Sequence, residues 1–322
     1  TVISLLLIGA LLSCDAPRLN PLDPQNPDYQ LSIIEGIVQT EAQPRLPLDG
    51  VKVYWKNDNI LAVTDAAGKF FIDKLPQKQG WIYFEKDGYS RDSIALNLLN
   101  QKTQHVDARL NAIPRLDDLV IYTSILNRYP DVQSDSLFVK AKISDNEGDV
   151  VSVFVRCPEL GINKTLSFNA ASGYYENKFL PGDLDLQFID EGIGKNFEIS
   201  VYDPEGKEFK VGYSTIKRTI RQDITFRSPA NLEIVEFPVK FVWGRFLPGF
   251  NFTYMFEIYT NENSPVRKKQ VTGISKEEVE IIANIGTFNL DDLPPGQYFW
   301  VIWVVDDFQN RARSRQASFV IQ

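Results

Sequence analysis

The chain is 322 residues long, room for two or three domains, and its 34 basic and 42 acidic side chains give a formal net charge of −8. That balance argues against a nucleic-acid binder, which needs a basic face. One histidine and two cysteines exclude a His-rich zinc site, a disulfide framework and a four-cysteine metal knuckle, and 43% hydrophobic residues exclude disorder by composition.

Residues 2–13 form an apolar run that ends at Cys14. At 1.5 Å per residue such a run reaches about 18 Å, short of the ~30 Å hydrocarbon core, so it reads as the apolar region of a secretory signal peptide. Leu11, Leu12, Ser13 and Cys14 together resemble the lipobox of bacterial lipoproteins. The resemblance implies cleavage before Cys14, diacylglycerol on its sulfur, and a lipid anchor in the bacterial cell envelope, at the outer membrane and open to surface exposure. The alternatives are an ordinary signal peptide or a cysteine closing a core strand. Residues 15–30 place Pro17, Pro21, Pro24 and Pro27 among polar residues. This is a tether of polyproline II character, at about 3.1 Å per residue.

From Leu31 onward short runs of β-branched and aromatic residues alternate between turn signals. They include Val51–Trp55, Lys69–Ile72, Trp81–Phe84, Phe138–Ile143, Val150–Val155, Phe197–Tyr202, Tyr254–Tyr259 and Tyr298–Val305. The pattern predicts an all-β chain of three β-sandwich domains in series, 31–112, 113–222 and 223–322, after the signal segment 1–14 and the tether 15–30. Four turns, Asp65–Gly68, Asp145–Gly148, Asp203–Gly206 and Asp307–Asn310, begin with Asp and carry Gly or Asn three residues later. Asp bonds the turn backbone and Gly or Asn accepts positive φ, so each is expected to close a hairpin. Ser275–Glu278 has a capping-box pattern, yet a strand through Val279–Ile282 is preferred.

Residues 31–112 resemble the carboxypeptidase regulatory-like domain, a transthyretin-like sandwich. The matching segments are Glu35–Val38, Leu48–Val53, Thr64–Phe70, Ile72–Pro76, Phe84 and Asp87–Tyr89. The resemblance implies a non-catalytic add-on module. Residues 113–222 resemble a bacterial immunoglobulin-like sandwich through Lys140–Val153, Gly173–Glu176 and Ile199–Gly206. Residues 223–322 resemble a fibronectin type III-like module through Trp243, Leu293–Trp300 and Asp306–Asn310.

Chemistry-bearing residues are sparse. His105 falls on the polar side of an alternating strand and reads as a surface residue. Cys157 is left as a lone buried thiol. Asp145, Glu147, Asp149, Asp203 and Glu205 are weak candidates for Ca²⁺ ligands, against the simpler reading of turn chemistry; no other cofactor is expected. Trp55, Trp81, Trp243, Trp300 and Trp303 are core residues for the most part, with a sugar-stacking platform among them as the rival reading. The strand Tyr298–Val305 is apolar on both faces, so a neighbouring domain or a partner must cover one of them. Trp303, Arg311, Arg313 and Arg315 are the partner-binding candidates, with solvated protection of a sheet edge as the default role of the arginines and of Arg267, Lys268 and Lys269.

The function expected is that of a non-catalytic cell-envelope lipoprotein, an interaction or structural protein bound to the membrane through lipid and to an envelope protein or glycan. The alternatives are a carbohydrate-binding surface lipoprotein for glycan capture, and a carboxylate-dependent glycosidase. The anchor has a direct test. Cys14→Ala is expected to move the protein from the membrane fraction to the soluble envelope fraction, and retention after a high-salt wash would place the anchor elsewhere.

Overall fold

A computed structural model describes residues 31–260, 269–274, 279–282, 290 and 293–322. Cys14, the tether, Ser275–Glu278, Arg267 and Lys268 lie outside the described residues. The described chain is all-β, with four short 3-10 turns and no α-helix. It divides between Ile113 and Pro114 into two compact units.

The first unit holds β1 (Leu31–Thr40), β2 (Lys52–Trp55), β3 (Ile60–Val63), β4 (Lys69–Pro76), β5 (Gln79–Glu85), β6 (Asp92–Asn97) and β7 (Thr103–Leu110). One sheet runs β4-β1-β7 and the other β3-β2-β5-β6. Alternation places Val53, Trp55, Ile82 and Phe84 inward from one sheet and Ile34, Val38, Phe70, Ile72 and Val106 from the other, closing one core. Gly36 has a steric reason to be glycine, because a Cβ there would lie 1.7 Å from the Val106 carbonyl oxygen. Gly88, at φ +80°, turns the chain so that Tyr89 packs on the core.

The second unit begins with β8 (Arg115–Arg128), β9 (Val132–Ser144), β10 (Ser152–Cys157), β11 (Ile162–Asn169), β12 (Tyr174–Phe179), β13 (Asn196–Tyr202) and β14 (Glu208–Thr215). It continues with β15 (Phe226–Ser228), β16 (Glu233–Val235), β17 (Lys240–Trp243), β18 (Phe252–Tyr259), β19 (Lys269–Ile274), β20 (Glu280–Ile282), β21 (Gly296–Asp306), β22 (Arg311–Arg313) and β23 (Ala317–Ile321). β20 pairs with β17, so the segment after Ser275–Glu278 is a strand where it is described.

Residues 113–222 and 223–322, expected as sandwiches in series, have separate apolar cores but share one sheet and one compact unit. The hydrogen-bonded path runs β14-β13-β10-β11-β12-β9-β8-β22-β21-β18-β19. The short β22 makes the join, antiparallel to β21 and parallel to β8, with Ala312 opposite Ile125. β8 belongs to both sandwiches, since Ile121 packs in the first core and Ile125 in the second.

Polar bonds reinforce the join. The buried Asn310 accepts the Thr123 amide at 2.9 Å, and Thr123 Oγ1 donates to the Arg218 carbonyl at 3.0 Å. Asn127 Nδ2 reaches the Arg313 carbonyl at 2.8 Å. Arg221 bonds both Asp135 and Asp190, and these contacts hold its guanidinium more firmly protonated than usual. Burial pushes the Asp190 carboxyl up, but its bonds from Arg221 and Thr219 outweigh this and leave it below the ordinary carboxylate value.

The Asp-led turns form as expected in chemistry but not all in role. Asp65 Oδ1 accepts the amides of Ala67 and Lys69, and Gly68 sits at φ +72°. That turn carries the chain between the two sheets of the first unit and closes no hairpin, since β3 pairs with β2 and β4 with β1. The turn at Asp145 likewise joins strands that are not paired, while Asp203–Gly206 closes the β13–β14 hairpin. The last turn starts at Asp306, one residue before the Asp307 expected. Asp306 Oδ1 accepts the Phe308 and Asn310 amides, and Gln309 takes the positive φ of 68°. The shift frees the Asn310 side chain for Thr123.

Asn310→Ala leaves a buried amide without its acceptor. It is expected to destabilise the second unit by about 1–3 kcal/mol in urea unfolding, with faster hydrogen exchange at the Thr123 amide; an unchanged midpoint and exchange rate would refute the role given to Asn310.

Candidate functional site

An open sheet face sorts its residues by period two. On β2 and β5, Val53, Trp55, Ile82 and Phe84 are fully buried, so Tyr54, Trp81 and Tyr83 project from the outer side of the β3-β2-β5-β6 sheet. Tyr54 lies opposite Tyr83 on one neighbour and opposite Leu61 on the other. Leu61 is 59% exposed, Val63 56% and Trp81 49%. Trp81 and Tyr83, two positions apart on one strand, stand about 7 Å apart along it.

The centre of this face is a shallow groove of about 390 Å³ lined by Lys52, Tyr54, Lys56, Leu61, Tyr83, Glu85 and Arg91. The Tyr54 hydroxyl donates to Asn59 Oδ1, which fixes its ring against the following turn. Lys56 Nζ stands 5.9 Å from the centroid of the Tyr83 ring. Arg91 donates to Glu85 Oε1 at 2.6 Å. Flat rings on a rigid strand pair, ringed by donors, suit stacking against a flat apolar face that carries polar substituents.

For the strands of Trp55 and Trp81 the sequence reading counted the tryptophans without sorting the faces. The signal was there in Lys52–Trp55 and Trp81–Phe84, where alternate residues divide into an inward and an outward set. Trp55, Trp243 and Trp300 are core residues.

The residues singled out earlier fall elsewhere. Arg311 and Arg313 are on β22, which lies inside the sheet between β21 and β8. They therefore do not protect an edge; the solvated-edge expectation is corrected by the β8–β22 pairing. The Arg311 guanidinium lies 4.5 Å from the Tyr122 ring centroid, 5.4 Å from Phe138 and 5.7 Å from Trp303. Arg315 pairs with Asp131 at 2.5 Å and with Asp223 at 3.1 Å. Trp303 is half-buried and donates to Glu257 at 2.9 Å. On the same side of β21, Phe299 stacks on Tyr259 at 5.1 Å. Much of the second apolar face of Tyr298–Val305 is thus covered from within the chain.

His105 is on the surface with Nδ1 3.2 Å from a Glu35 oxygen. Cys157 is buried and free, and burial pushes its thiol pKa up.

In each acidic turn one oxygen of the leading aspartate is taken by backbone. Asp145 Oδ1 accepts the Glu147 and Gly148 amides, and Asp203 Oδ1 accepts Lys207. Among the described residues no three acidic, histidine or cysteine side chains form a group suited to a metal ion. Asp149 nevertheless has its pKa pushed up to about 6, first by burial, then by the charge of Asp145 and a bond with it, and further by Glu205.

No family model matches the chain, and no curated protein matches it. Among solved structures, it is similar to the fibronectin(III)-like modules of CbhA from Clostridium thermocellum, at 11% identity over 65% of this chain and 93% of that one, with a TM-score of 0.29. It is also similar to the FN1-FN3 domains of chicken CNTN1 (9% identity, 84% and 90% covered, TM-score 0.30). A third is BcpA, the major pilin subunit of Bacillus cereus (10% identity, 87% and 91% covered, TM-score 0.24). At such identities and scores the architecture rests on the chain's own strand pairing.

Asp149 yields a pH test. Its folded pKa of about 6 lies above the ordinary aspartate value of 3.8, so the stability it lends is complete below pH 3.8 and is lost as pH rises to about 6. Asp149→Asn is expected to flatten this part of the pH–stability curve and to raise the melting temperature above pH 6. Parallel melting curves for the two proteins between pH 4 and 7 would refute it.

Proposed function

We propose that this chain is a non-catalytic lipoprotein of the bacterial cell envelope, anchored through Cys14 at the outer membrane, whose β modules serve binding, and that its first domain captures glycans. The single observation that carries the glycan reading is the exposed outer face of β2 and β5, with Tyr54, Tyr83 and Trp81 projecting from one rigid sheet. An aromatic ring left in water gives up the burial it could have had, and a sugar ring recovers it while its hydroxyls stay hydrated or bond to the rim.

The carboxylate-dependent glycosidase is the weaker reading at this face. Retaining and inverting chemistry both need two carboxyl groups about 5–9.5 Å apart across the scissile bond. The groove has one acid, Glu85, and it is engaged by Arg91.

A glycan array probed with the purified chain tests the reading. Trp81→Ala and Tyr83→Ala are each expected to weaken binding of the best ligand about twofold to tenfold, the range of a single aromatic contact. Binding to no glycan, or binding that both variants retain in full, would refute it.

A further inference from the structure

We infer that the sugar taken by this face is anionic, a pyranose bearing a carboxylate or sulfate; the inference rests on the glycan-capture reading. The groove brings together Lys52, Lys56 and Arg91 with one acid, Glu85. Arg91 is bonded to Glu85 at 2.6 Å, so this pair cancels. Nearby cations are committed as well, Lys78 to Asp58 at 2.6 Å and Lys86 to the Asp49 carbonyl at 2.6 Å. Lys52 and Lys56 remain, exposed and without an ion pair among the described residues. The rim thus keeps two positive charges in a chain whose net charge is −8.

Position adds to charge. Lys52 and Tyr54 project from the same side of β2, and Lys56 overhangs Tyr83 with Nζ 5.9 Å from the ring centroid. A ring stacked on Tyr83 or Tyr54 directs its equatorial substituents outward, toward these ammonium groups. A neutral sugar gains the stacking and at most uncharged acceptors for the rim donors. An anionic sugar gains the stacking and a charge-assisted contact at its edge.

The test uses the full chain in solution against polygalacturonate, its methyl ester, dextran sulfate and neutral dextran, with phosphatidylglycerol vesicles as a non-glycan anion. Polygalacturonate and its ester share one sugar ring and differ in charge. Wild-type protein is expected to bind an acidic polymer at least fivefold more tightly than its neutral counterpart, with the preference shrinking between 50 and 500 mM salt, values chosen to span strong screening. A preference for polygalacturonate over its ester assigns a carboxylate, and one for dextran sulfate over dextran alone assigns a sulfate. The double variant Lys52→Gln, Lys56→Gln should lose about threefold to tenfold of acidic-polymer affinity, as two exposed charge contacts would. Its loss for the neutral polymers should be smaller, about twofold at most, because there the lysines meet no opposite charge. Equal binding of charged and neutral polymers overturns the inference and leaves glycan capture standing. An acid preference that survives the double variant overturns the assignment to these lysines. Binding to vesicles with no glycan bound overturns both readings in favour of a lipid surface.

Discussion

The pairing of three-residue β22 with β8 is the constraint on which the second unit depends. Two sandwiches with separate cores would ordinarily meet through a linker and move against each other. Here one strand takes hydrogen bonds from both sides and inserts its buried Ala312 at the seam. β22 is too short to hold by backbone bonds alone. Its stability comes from side chains at its ends: Asn310 on Thr123, Arg311 on Tyr122, and Arg315 on Asp131 and Asp223. The acidic partners of Arg315 come from the β8–β9 turn and the segment before β15, and the ring that holds Arg311 comes from β8, so neither sandwich alone completes the seam.

The same residues show how far the sequence could be read. All-β character was legible because it depends on local alternation and on turns that bond their own backbone, as at Asp65 and Asp203. The shared sheet was not legible, because it depends on contacts between residues nearly 190 positions apart, such as Asn310 with Thr123. A one-residue shift decided it. With the turn starting at Asp306, Gln309 takes the positive φ and Asn310 turns its amide into the seam. The alternate arginines misled for a related reason. Periodicity says that Arg311 and Arg313 share a side of a strand, but not whether another strand lies beside it.

The candidate site was half legible. Aromatic alternation on Lys52–Trp55 and Trp81–Phe84 assigns inward and outward sets only once one member is known to be core. Trp55 settles it: the ring is fully buried and its Nε1 donates to Asp58 at 2.8 Å. With Trp55 inside, Tyr54 must face out, and register then places Tyr83 beside it. The acidic turn residues show the converse. Asp145 and Asp203 look like ligands in a row of letters, yet one oxygen of each, Oδ1, already serves turn amides.

A strand that contributes Ile121 to one core and Ile125 to the next has a consequence for inheritance. Sandwich modules are commonly regarded as units that recombination can shuffle, each carrying its whole fold with it. A crossover near residue 222 would strip the later module of the strand that closes its sheet and expose Ile125 on the earlier one. Recombination that preserves both folds must therefore move the two as a single block, while the first unit, whose core draws on residues 34–110 alone, can be exchanged without breaking either core.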